Sequence, residues 1–422
     1  MAERDSSLLG GYRVLDLTDE KGLLCGKLLG DLGADVVKIE QVGGDPARSI
    51  GPFYRDVPHP ERSLFWFYTN LHKRSITLNI ETADGRAILK KLVENADFVV
   101  ESFEPGYMDS LGLGYGDLET LNPALVMTSI TPFGQTGPYA HYKATDIVGV
   151  AMGGMVYIYG EMDRPPNRLS CPQFYFLGCL HGATGSMVAH YHREMTGQGQ
   201  HVDVSCQQAV VLSLMVVAEI WDMLKFSYRG MGPFYAGARP GSLPLFSRVV
   251  YPCKDGHVFL LVTGASQAGM VASSRALVEM ANRDGFALEL KDYPWQKIDA
   301  SSISQEELTR LTDLMQDFIK TKTKAELFEE ALEKGILLAP LTNMKDVVES
   351  PQLAARGFWE QMEHPELGTT ITYPGYPIKI TEAPCRVQRR APLIGEHNEE
   401  IYQKELGFSK EELVALRSHG II

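Results

Sequence analysis

Apolar positions in the N-terminal third of the chain switch repeatedly between two periods. Residues 13 to 18 (RVLDLT) are rich in β-formers, residues 21 to 32 (KGLLCGKLLGDL) carry apolar side chains at helical spacing, and residues 36 to 40 (VVKIE) are β-rich again. The alternation continues through ITLNI (76 to 80), the amphipathic GRAILKKLVENA (85 to 96), FVVES (98 to 102) and LVMTSI (125 to 130). Strands separated by helical segments predict a parallel sheet, because parallel neighbours need long crossovers. The expectation is an α/β chain whose residues 1–224 form a Rossmann-like domain. No GxGxxG follows the first strand, which disfavours a nicotinamide dehydrogenase.

Near residue 225 the texture changes to FSYRGMGPFYAGARPGSLPLF, followed by a hairpin signal at Lys254-Asp255-Gly256 between apolar runs. Helical segments then open on capping-box patterns at Ser304/Glu307 and Thr323/Glu326. Residues 225–330 therefore read as a smaller α+β domain. Residues 331–422 read as a return segment leading back to the large domain, ending in a helix opened by Ser409 and Glu412.

Composition narrows the class. Hydrophobic residues at 44% and charged residues at 22% over 422 residues describe a folded globular protein. A net charge of −13 argues against a surface built to hold nucleic acid or an anionic membrane, so a bound phosphate must meet a local basic cluster. The six cysteines form no CxxC pair, the N-terminus lacks the pattern of a signal peptide, and the apolar run 209 to 218 is too short to span a bilayer. A reducing cytoplasm is the expected compartment.

Three constellations are candidates for chemistry. Asn70, Lys73 and Arg74, with Arg48 upstream in GGDPAR, are plausible phosphate ligands, because Arg and Lys make charge-assisted bonds to phosphate oxygens. On spacing alone a solvated loop is the more common reading of such residues. In TPFGQTGPYAHYKATDIVGVAMGG (131 to 154) a glycine-bearing turn leads to Asp146 at the start of an apolar, small-residue helix. Local chemistry makes Asp146 a helix-terminus carboxylate. His190 and His192 sit two apart in a predicted helix and point in different directions, so no metal site is expected. The chain also lacks a GxSxG elbow.

Taken together, RVLDLT, LGADVVKIE with GGDPAR, NLHKRSITLNI, ESFEPGYMDSLGLGY, PFGQTGPY, TGQGQHVDVS, GILLAPL, SPQLAARGF and RRAPLIGEHNEE resemble the class III CoA-transferase family over nearly the whole chain. That family includes formyl-CoA transferase and the carnitine CoA-transferases. The resemblance implies two subunits threaded through one another as an interlocked ring dimer. CoA is then a substrate held by the Rossmann-like domain, no cofactor is permanently bound, and Asp146 matches the family's catalytic aspartate. Arg48, Asn70, Lys73 and Arg74 are then the expected CoA ligands, and Gly134, Gly137 and the loop Gly237 to Gly241 supply backbone N–H groups to oxyanions. The chain departs from the family at Asp19-Glu20-Lys21-Gly22, where an Ala-Gly-Pro loop is common, and at Glu104, where an Arg is common.

The expected reaction moves CoA from an acyl-CoA donor such as succinyl-CoA to a carboxylic acid through an aspartyl thioester. Aromatic residues around Asp146, including Phe133, Tyr139, Tyr142 and Phe174, suit an aryl- or alkyl-substituted succinate as acceptor. Two alternatives remain open. One is a racemase of α-methylacyl-CoA, disfavoured because residues 73 to 140 contain no histidine. The other is a non-catalytic subunit in a heterodimer with a homologous chain.

Overall fold

The computed structural model describes residues 7–237, 245–262, 268–298, 303–383, 385 and 388–422. Six strands form one parallel sheet: β1 (Arg13–Asp16), β2 (Asp35–Glu40), β3 (Arg74–Thr77), β4 (Phe98–Glu101), β5 (Val126–Thr131) and β6 (Gln200–Ser205). Their order is β3-β2-β1-β4-β5-β6, so the winding direction reverses between β1 and β4. In open α/β sheets ligands bind outside the C-terminal strand ends at such a switch point. Every residue of β3, β4 and β5 is buried, as expected for strands covered on both faces.

Two elements differ from the pattern in the sequence. β3 starts at Arg74, two residues before the apolar run, because Arg74 and Ser75 pair in register with Val37 and Lys38. β6 is an edge strand whose side chains at 200, 201 and 203 are exposed, so its sequence carries no apolar run to announce it. The opposite edge, β3, is covered by the end of the chain. Tyr402 donates its hydroxyl to the Thr77 carbonyl at 2.7 Å, and Asn398 bonds the Thr77 side chain and amide at 2.9 and 3.0 Å. Tyr402, Leu413 and Ile421 share a core with Leu15, Val37, Ile76 and Met127.

The chain divides into two compact units. The larger takes the chain up to Met155, Leu169–Met215 and Gln352–Ile422; the smaller takes Val156–Arg168 and Val216–Pro351. The boundary expected at 330 falls inside the helix Lys324–Lys334, and the strand Leu338–Pro340 beyond it completes the smaller unit's sheet. That sheet pairs Leu338–Pro340 with Gly256–Leu260 and Val250–Cys253, all antiparallel. Tyr251, Val258, Leu311, Met315 and Phe318 are among its core residues. The capping boxes at Thr323 and Ser409 are complete. At Ser304 only half forms, because the Glu307 carboxylate turns to Arg310 and Tyr293.

Among the described residues no single helix is long and apolar enough to cross a membrane. Cys25, Cys179 and Cys206 are buried, whereas Cys171 is exposed.

Candidate functional site

Asp146 is the first residue of the helix Asp146–Met152. Its Oδ1 accepts hydrogen bonds from the backbone N–H groups of Gln173 at 2.7 Å and Phe174 at 2.8 Å. Those two groups form the N-terminus of a second, 23-residue helix, Phe174–Thr196. The carboxylate thus sits at the positive end of a long helix dipole and satisfies two donors that the helix itself cannot. Oδ2 accepts no hydrogen bond among the described residues, and the side chain is only half-buried.

Small residues let the elements approach this closely. A Cβ on Gly149 would lie 2.4 Å from the Phe174 ring, and one on Gly153 would lie 2.5 Å from Val210 in the helix Cys206–Ser213. Along the long helix, a Cβ on Gly182 would meet Ile130 of β5 at 2.9 Å, and one on Gly178 would meet Cys206 at 2.4 Å. Glycine on these faces seats the long helix against the sheet and fixes where its N-terminus falls. Tyr175, one residue inside that terminus, donates its hydroxyl to the Ala144 carbonyl, and burial pushes its pKa up, so it stays protonated.

The expected oxyanion donors are unequal. The Gly134 N–H is spent on the Thr131 hydroxyl at 3.0 Å, whereas Gly137 is exposed and its N–H has no partner among the described residues. Both have positive φ, which glycine alone adopts without strain. Beyond Gly237, the loop up to Gly241 lies outside the described residues.

The four residues of the basic cluster are buried and paired, so as placed here they form neither an exposed cradle nor a solvated loop. Lys73 is fully buried, and its ammonium contacts Asp16, the Leu23 carbonyl and Asn70 Oδ1 at 2.7 to 2.9 Å. Asn70 is buried with it and donates to the Trp66 carbonyl. Arg48 grips Glu40 with two bonds of 2.7 and 2.8 Å, reaches Glu61 and the Pro392 carbonyl, and lies over the Trp66 ring. Arg74 forks onto Asp35 and bonds Glu400 and Glu405. For the three cations, carboxylates of this chain take the donors that a phosphate would need.

The crevice at the C-terminal ends of β1, β2 and β3 is a cavity of about 370 Å³. Its lining includes Asp19, Glu40, Asp45 and Glu81 and holds no lysine or arginine. Phe103 and Tyr107 add two tilted rings 4.8 Å apart. Asp19 is tied to Ser102 and Lys21, and Asp45 to Lys38 at 2.9 Å. Glu104 pairs with Lys143 at the surface. These carboxylates were legible in principle, since each lies at or closely after a predicted strand end, where a parallel sheet opens its crevice.

Residues 9–398 match the description of CoA-transferase family III. The chain belongs to that family. It is 35% identical over 412 residues to the succinyl-CoA:(R)-benzylsuccinate CoA-transferase subunit BbsE of Thauera aromatica, covering 97% of each chain. It is 34% identical to a formyl-CoA:oxalate CoA-transferase of Streptomyces avermitilis, covering 98% of this chain and 99% of that one. Among solved structures, a CAIB/BAIF family protein from Brucella suis superposes with a TM-score of 0.79 at 29% identity, over 94% of this chain and 99% of that one. As a CoA-transferase of family III the chain has CoA thioesters as substrates, and its sheet carries the crevice and the helix-terminus carboxylate described above.

Proposed function

We propose that the chain is one subunit of an enzyme that moves CoA from succinyl-CoA to a dicarboxylic acid carrying an aryl or alkyl substituent. The donor is supported by three relatives whose names include succinyl-CoA, acting on benzylsuccinate, D-citramalate and mesaconate. The acceptor's substituent is supported by the Phe133, Tyr139 and Tyr142 rings, which pack on one another ahead of Asp146 while both tyrosines remain exposed. CoA thioesters and unlinked cysteines both suit a reducing cytoplasm.

In such transfer an enzyme carboxylate attacks the donor thioester, giving a mixed anhydride and CoA thiolate. The thiolate then attacks the enzyme's carboxyl carbon, releasing the donor acid and leaving an enzyme thioester. The acceptor carboxylate attacks that thioester, and a second anhydride is resolved by the returning thiolate. On Asp146 the attack would start from the open Oδ2. Oδ1, held by the Gln173 and Phe174 N–H groups, would carry the oxyanion charge.

A specific observation favours a second reading, in which a homologous chain supplies the nucleophile and most of the phosphate contacts. All three expected phosphate cations of this chain are buried and paired, and the crevice lining is acidic. Asp146 is then a helix cap only. Two relatives are named as subunits, which supports a two-chain assembly.

Asp146→Asn separates the readings, because the amide keeps an acceptor for the two N–H groups but cannot form an anhydride. The variant is assayed for exchange of labelled succinate into succinyl-CoA, alone and co-expressed with the homologous chain. Loss of exchange with an unchanged unfolding midpoint makes Asp146 the nucleophile. Retained exchange in the co-expressed assembly makes it a cap. No exchange from the wild-type chain in any assembly would overturn the transferase reading itself.

The assembly we propose is the interlocked dimer, with a second copy or a homologous chain. Leu180, Val188, Tyr191 and Met195 form an exposed apolar row along the helix Phe174–Thr196, and Val211 and Leu212 expose another on Cys206–Ser213. Apolar rows of this length are found where a partner covers them.

A further inference from the structure

A file of three side chains crosses the sheet beside the β1–β3 crevice and takes no part in the chemistry above. Glu101 ends β4, Ser129 stands opposite it in register on β5, and His201 belongs to β6. Ser129 is thus the neighbour of the Glu101 carboxyl across the β4–β5 pair, and its Oγ lies 2.9 Å from His201 Nε2. The His201 ring stacks on Tyr115, with centroids 5.6 Å apart. All four residues line one cavity of about 550 Å³ under the 131 to 145 loop.

We propose that Glu101, Ser129 and His201 form a proton relay that switches the His201 ring, on the wall of this cavity, between hydrogen-bond acceptor and donor. When Glu101 is ionised, Ser129 O–H donates to it, and Ser129 Oγ in turn accepts from His201 Nε2–H. The Nδ1 atom is then a bare acceptor. A proton arriving at Nδ1 releases the Nε2 proton to Ser129, whose own proton passes to Glu101. One proton enters, the buried carboxylate becomes neutral, and His201 ends neutral with Nδ1 as a donor. The same three residues can do this because a hydroxyl and an imidazole each donate and accept, so the direction of the file reverses by proton shifts.

The surroundings set the range. Burial, with the nearby Asp19 carboxylate adding to it, raises the Glu101 pKa to about 7 against Ser129, the Phe103 N–H and Lys21. Partial desolvation of the ring lowers that of His201, with Asp203 and Asp109 opposing. Glu104, Asp109 and His141 complete the ionisable groups on the cavity wall. Above the transition the His201 wall takes a ligand's N–H or O–H; below it, the wall offers a donor to a carbonyl or carboxylate oxygen. The device is independent of which chain supplies the CoA-transferase nucleophile.

Histidine-selective 15N spectra of the full-length protein between pH 5.5 and 9 test it, with the His201 signals assigned from His201→Gln. The expected result is a change of His201 tautomer, without formation of the imidazolium, centred near neutral pH. Glu101→Gln and Ser129→Ala should each abolish that change and leave an ordinary imidazole titration at lower pH. A wild-type ring that keeps one tautomer throughout overturns the proposal. So does a tautomer change that survives in either variant. The wild-type measurement decides the matter even where a variant fails to fold.

Discussion

Lys73 Nζ lies 2.7 Å from Asp16 Oδ2, and neither side chain reaches solvent. Ammonium and carboxylate were brought together from positions 57 residues apart, and the pair sits beneath the strand ends where a phosphate ligand was expected. Taking two charges out of water costs several kcal/mol per ion, so each becomes dependent on the other. Lys73→Met should therefore lower stability by about 3–5 kcal/mol, and adding Asp16→Leu should recover much of the loss. Urea denaturation measures both. Near wild-type stability for Lys73→Met would return Lys73 to the list of exposed ligands.

The same pair sets an acid limit. Burial alone would raise the Asp16 pKa, but Lys73 and Lys38 more than offset it and hold the carboxyl below its ordinary value. A group depressed in the folded state adds stability above its unfolded pKa, about 3.9, and that contribution is lost as pH falls through the folded value. The urea midpoint should fall as pH drops below about 4, and Asp16→Asn should flatten that part of the profile at the expense of stability near neutrality.

The seat of Asp146 is open to test without any substrate. Asp146→Ala should cost about 0.5–2 kcal/mol through the lost helix cap, and Asp146→Asn should cost less. Gly149→Ala forces a methyl to within 2.4 Å of the Phe174 ring, so one side must move, at about 1–3 kcal/mol. Thermal unfolding of the three variants gives the order. Equal midpoints for Asp146→Ala and wild type would mean that the two N–H contacts carry no stability.

Assembly through the exposed apolar rows predicts a particle that stays dimeric on dilution to nanomolar concentration, with an unfolding midpoint that rises with protein concentration. Val188→Glu combined with Tyr191→Glu places two charges in the middle of the row and should shift the sedimenting species toward monomer. A double variant that remains fully dimeric would move the interface elsewhere.

Much of the fold was legible in the order of residues. The alternation from residue 13 to residue 130 is local, because the period of apolar positions reflects which face of a strand or helix is buried, and that period survives without knowledge of the partner. Five of the six parallel strands, the hairpin at Lys254-Asp255 and the caps at Thr323 and Ser409 follow from such short-range signals. So does family membership, since many ordered blocks lie along the chain. β6 escaped because its exposed Gln200, His201 and Asp203 leave no apolar run.

The employment of the charges was decided by tertiary structure alone. Arg74 and Lys73 adjoin in sequence, yet one meets Asp16 from β1 and the other meets Asp35, Glu400 and Glu405. Asp146 opens its own helix, yet it spends Oδ1 on donors 27 and 28 residues further on. A charged side chain has no periodicity that reports its partner. Whether it faces water, a ligand or an opposite charge depends on which distant segment the packing delivers within about 3 Å, and that distance exists only in the folded chain.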